Sequence, residues 1–157
     1  MDKKLIKAIL DVVKDVSDRP GLYGAMFDKQ YVYFTDGYVA IRLEMGAFES
    51  LRPFPMADKV WVSGEQLKEK YKEMGARDVC LTVKNEHGEH PDFKELWKGW
   101  NDTEYIAEPL PIRPDTFKKL APFGDMLMSN TQNKINQKLV AFSGKGIVAV
   151  ACPLKNL

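Results

Sequence analysis

The sequence predicts an α+β fold: antiparallel sheets with about three short helices set between the strands. Three stretches carry that expectation. Residues 2–16 place Leu5, Ile9, Val12 and Val16 on one stripe, with Lys3, Lys4, Lys7, Asp11, Lys14 and Asp15 mostly opposite, the spacing of an amphipathic helix. In YVYFTDGYVAIRL, β-branched and aromatic residues flank Asp36-Gly37, a pair that tolerates positive φ and so closes a hairpin. KLVAFSGKGIVAVACPL repeats the pattern about Ser143-Gly144-Lys145-Gly146.

The remaining elements follow in order. Ser17-Asp18-Arg19-Pro20-Gly21 ends the first helix, and LYGAMF opens a run of three strands. The two prolines of FESLRPFPMADK oppose regular structure there. Residues 59–62 form a strand entering a second helix, where Ser63 and Gln66 have capping-box spacing and Gly75 is the stop. Leu67, Tyr71 and Met74 form its inward stripe. DVCLTVKN reads as the next strand, and NEHGEHPDF as a turn-rich connection. EYIAEPLPI is extended and leads into a third helix at PDTFKKLAPF, with Pro114 near its first position. Helices between antiparallel strands favour α+β over a parallel βαβ sheet.

At 157 residues the chain has material for one domain, residues 1–157, with a substantial core. Twenty-three basic and twenty-two acidic side chains nearly cancel, so composition implies no strong non-specific hold on nucleic acid. No apolar run approaches the roughly 18–20 residues of a membrane span, and charges interrupt the apolar stretch at the N-terminus, unlike a signal peptide. A cytoplasmic protein with no membrane partner is expected. Cys80 and Cys152 lie in strand-like runs, where a reduced thiol is expected to act as a small core side chain.

Catalytic chemistry has little to stand on. His87 and His90 share one loop with Glu86, Glu89 and Asp92, but no second ligand pair completes a recognisable metal set. The phosphate-loop, dinucleotide and nucleophile-elbow motifs are missing from the sequence. No enzyme activity, catalytic residue, cofactor or metal is expected. Lys3, Lys7 and Lys14 on the first helix, Lys68 on the second, and Lys118 and Lys119 on the third are the candidate phosphate contacts, each helix also carrying acids. LWKGW holds the aromatic pair Trp97 and Trp100, of a kind more often a core anchor than a binding surface.

Five pieces in sequence order resemble the sliding clamp of bacterial DNA polymerase III. They are Leu22-Tyr23-Gly24-Ala25-Met26-Phe27, then Phe34-Thr35-Asp36-Gly37-Tyr38, then Val60-Trp61-Val62 entering a helix, then Pro91-Asp92-Phe93, then Ala149-Val150-Ala151-Cys152-Pro153-Leu154. In that family their counterparts are an LNGVLFE-like strand, ATDGHRLA, a VIVP-like strand, a PDY segment and a VVMPMRL tail. Tyr38-Val39-Ala40 replaces the family's His-Arg-Leu after TDG, and the segment between the second helix and PDF is shorter. A clamp chain carries three domains, whereas this one has material for about one.

The resemblance implies a condensed DNA-clamp-like domain and a hydrophobic groove that takes a short linear peptide from a replication or repair protein. Thr35, Gly37, Tyr38, Val39 and Ala40 would form one wall and Val150, Cys152, Pro153 and Leu154 the other. The expected function is a clamp-like interaction protein of phage or mobile-element origin, its partner a protein. Two alternatives remain open: an oligomeric, DNA-binding processivity factor, and a phage inhibitor that presents another surface, such as Trp97 to Trp100, to a host nuclease or defence enzyme.

Overall fold

The computed structural model describes residues 3–47, 59–74, 92–100 and 103–155. Helix α1 (Lys3–Val13) runs into a 3-10 turn at Lys14–Val16, and its predicted stripe of Leu5, Ile9, Val12 and Val16 is buried, joined by Ile6, Ala8 and Val13. Strands β1 (Gly24–Phe27), β2 (Tyr31–Thr35) and β3 (Val39–Glu44) follow as a meander. Asp28 closes its first turn, accepting the Gln30 and Tyr31 N–H groups at Oδ1. Strand β4 (Val60–Ser63) enters α2 (Gly64–Glu73) through the expected capping box: Ser63 Oγ accepts from Gln66 N–H, and Gln66 Oε1 accepts from Ser63 N–H. After α3 (Phe93–Trp100), β5 (Thr103–Tyr105) and α4 (Pro114–Leu120) come β6 (Met126–Asn133), β7 (Lys138–Gly144) and β8 (Ile147–Ala151).

The eight strands among the described residues belong to one antiparallel sheet, ordered β4-β1-β2-β3-β8-β7-β6-β5. The order is a mirror. On one side α1 precedes the meander β1-β2-β3, with β4 added at the rim; on the other α4 precedes β6-β7-β8, with β5 at the rim. The halves meet where β3 pairs with β8, Val39 opposite Ala151 and Leu43 opposite Ile147.

Alternation along the strands gives the sheet two apolar faces. Ala25, Phe27, Val32, Phe34, Ile41, Val62, Phe142 and Ala149 turn toward α1, α2 and α4 and form the larger core. Met26, Tyr33, Trp61 and Val150 turn the other way and are covered by Phe93 and Trp97 of α3. Trp97 is only 4 % exposed, so it anchors the core.

Two elements lie beyond the sequence expectations, and one expectation needs correction. MLMSNTQN, poor in β-branched residues, forms the long strand β6 because β7 pairs with it from Met126 to Gln132 and β5 adds to its end at Thr131 to Asn133, and pairing overrides its weak propensity. FKELWKGW is the helix α3, its Phe93 and Trp97 one turn apart on the buried side. Of the extended stretch 104–112, only Tyr105 and its predecessor lie in a strand, β5. The predicted strand over 78–85, Cys80, Gly75, Pro91, His87 and His90 lie outside the described residues.

Gly64 shows how closely the first half is packed. Its N–H donates to Tyr23 C=O at 2.9 Å, and a Cβ built on it would lie 2.2 Å from the Tyr23 ring. Gly64→Ala should gain about 1 kcal/mol of helix propensity yet lose about 1–3 kcal/mol to overpacking. We expect net destabilisation in urea unfolding.

Candidate functional site

The turn between β2 and β3 is held by its own side chains. Thr35 Oγ1 accepts the Gly37 N–H at 2.9 Å and donates to Val39 C=O at 2.8 Å. Asp36 Oδ1 accepts from Tyr38 N–H at 2.7 Å and from Val39 N–H at 2.8 Å. Gly37 has φ +88°, which only glycine adopts without a steric cost. These bonds leave the second carboxylate oxygen of Asp36 for a partner from elsewhere in the chain.

That partner is Lys119 of α4. Its Nζ donates to Asp36 Oδ2 at 2.6 Å, with the two side chains 8 % and 5 % exposed. The same ammonium meets Asp15, at the end of α1, at 2.5 Å and Asp115, one turn back on α4, at 3.0 Å. Burial by itself would lower the Lys119 pKa, but hydrogen bonds to Asp15, Asp36 and Asp115 outweigh it, so the net shift is upward. Asp115 is shifted down, first by its hydrogen bond to Lys119 and then by that charge.

β8 brings the chain's C-terminal segment against this turn. Ala40 lies opposite Val150, and beyond the strands Cys152 N–H donates to Tyr38 C=O at 2.9 Å. Leu154 N–H then donates to Pro111 C=O at 2.7 Å, which adds the segment before α4. The Arg113 guanidinium lies 3.7 Å from the centroid of the Tyr38 ring.

The nine predicted groove residues are thus adjacent, but they do not all face one surface. Val39 is buried in the core beneath α1 and α4, and Val150 is buried on the α3 face. Tyr38 (49 % exposed) and Leu154 (43 %) are open to solvent, as are Gly37 and Cys152, while Thr35, Ala40 and Pro153 are half-buried. Cys152 is not the core thiol its strand-like context suggested, because β8 ends one residue before it. Partial burial, followed by the Asp36 charge, pushes its thiol pKa up.

The lysine candidates divide. Lys119 is turned inward to three carboxylates and is not part of a phosphate-facing surface. Lys3 donates to Met74 C=O at 2.9 Å, Lys7 pairs with Asp11 at 2.6 Å, Lys14 lies 3.8 Å from the same carboxylate, and Lys68 pairs with Glu65 at 3.2 Å. Lys118 is exposed. Apart from Lys118, each is engaged by an acid or a carbonyl, a surface of mixed sign.

Asp36, Asp15 and Arg113 were missed as site residues by sequence reasoning. Asp36 was read only as a turn former, and its partner lies 83 residues away. Comparison with family models, with curated proteins and with solved structures finds no match.

Removing Lys119 leaves Asp36 buried without a counter-ion, so Lys119→Met should cost about 3–5 kcal/mol in urea unfolding. Asp115→Asn, at an exposed rim, should cost no more than about 1 kcal/mol. The pH dependence follows from the two shifts. The Asp115 contribution is present above its unfolded pKa and lost as pH falls through the lowered folded one; the Lys119 contribution is present below its unfolded pKa and lost as pH rises through the raised folded one. Stability should therefore be level between about pH 5 and 8, with the raised Cys152 thiol beginning the alkaline decline, and its acid limb should be shallower in Lys119→Met.

Proposed function

We propose that the chain is a condensed clamp-like interaction module that binds a protein partner through the surface where the Thr35-Asp36-Gly37 turn meets the C-terminal segment. The observation that carries the reading is the Cys152-to-Tyr38 hydrogen bond, which sets the exposed Tyr38 beside the segment bearing the exposed Leu154. Two apolar side chains left open beside a rigid backbone are what a short peptide with aliphatic or aromatic anchors can cover. The resemblance of both segments to the peptide-binding elements of sliding clamps supports the same reading. Lys119 and Asp36 act from behind, fixing the turn on which Tyr38 stands. Arg113 caps one side of the Tyr38 ring and restricts how a ligand can stack on it.

The test is binding of fluorescently labelled clamp-binding peptides, followed by anisotropy. Saturable binding should weaken about tenfold or more in Tyr38→Ala and in Leu154→Ala. Peptide should also protect the exposed Cys152 from alkylation. No binding at high micromolar protein, or equal affinity in Tyr38→Ala, would overturn the proposal.

A further inference from the structure

Arg42 stands on β3, on the sheet face covered by α3, with Tyr33 and Val148 as its register partners. Its guanidinium carbon lies 4.5 Å from the centroid of the Tyr31 ring and 4.8 Å from that of Trp97. Its Nε is buried and has no hydrogen-bond partner. Arg42 as a whole is half-buried, and among the described residues it forms no ion pair, in contrast to the buried Lys119 with its three carboxylates. A guanidinium partly removed from water keeps its charge, so an unanswered one retains a strong demand for an anion.

We infer that Arg42 is a receptor for a carboxylate borne on an apolar body, as an acidic peptide segment of a partner would present it. The Tyr31 and Trp97 rings flank the guanidinium at 4.5 and 4.8 Å, and its N–H groups present the fork that a carboxylate engages. The half-buried Ala40 and Val148 on the same face supply apolar contact for the rest of the ligand. Charge selects the carboxylate over a phosphate chain. Arg42 is a single cation, and the exposed Glu44, two residues along on the same face, disfavours a polyanion. This site lies on the opposite side of β3 from the core residues Val39 and Ile41 and does not depend on the Tyr38 surface.

The test is NMR titration of the wild-type protein, read at the Arg42 Nε–H resonance, which is assigned by its loss in Arg42→Lys. Three probes separate the chemistry: N-acetylphenylalanine, its uncharged amide, and inorganic phosphate. The acid should shift the resonance saturably in the millimolar range, the amide should leave it in place, and phosphate should act at least about tenfold more weakly. No response to the acid, an equal response to the amide, or a phosphate response as strong as that of the acid would each overturn the inference. The comparison among probes is made on the wild-type chain, so it stands even if Arg42→Lys is poorly folded.

Discussion

The arrangement of this molecule turns on one ammonium group placed inside it. Lys119 brings its charge from α4 in the second half of the chain to Asp36 in a turn of the first half, and it also meets Asp15 where α1 ends. Two charges removed from water cost several kcal/mol each, and their attraction offsets this only when the remaining donors and acceptors are used. Here they are. One oxygen of Asp36 receives two backbone N–H groups and the other receives Lys119, while the ammonium has three acceptors. An apolar pair of similar volume could stabilise the core as well, but it would not hold the turn in one geometry. The turn is where strand β3 begins, and β3 joins the two halves of the sheet through β8.

Sequence periodicity exposed much of this frame. The α1 stripe, the capping box at Ser63, the β2–β3 and β7–β8 hairpins and the Pro114 start of α4 all depend on contacts a few residues long, and local chemistry specifies them. What sequence reading missed depends on distant partners. β6 has little strand character of its own and takes its form from β5 and β7. The inward turn of Lys119 cannot be read from PDTFKKLAPF, because Lys118 and Lys119 differ only in which face of α4 they occupy, and the carboxylates that decide it come from residues 15 and 36. One sheet rather than several likewise follows from the β3 and β8 pairing, a contact across more than a hundred residues.

The candidate groove was legible in part for the same reason. Its two segments were recognisable, and strand pairing brings them together, yet alternation sends neighbouring residues to opposite faces. Val39 and Val150 therefore serve the two cores, and the surface is left to Tyr38, Cys152 and Leu154. Arg113 joins them from a segment that carried no signal beyond the proline after it. The sheet thus presents an aromatic and aliphatic patch at the end of β3 and β8 and, on its other side, a guanidinium that is beside Tyr31 and Trp97 and forms no ion pair among the described residues.

The central claim is that Asp36 and Lys119 act as a unit across the two halves of the chain. A double-mutant cycle with Asp36→Asn and Lys119→Met, read by urea unfolding of the four proteins, measures that directly. The structure predicts a coupling energy of about 2 kcal/mol or more, with the second substitution costing far less once the first is present. Additivity within about 0.5 kcal/mol would contradict it.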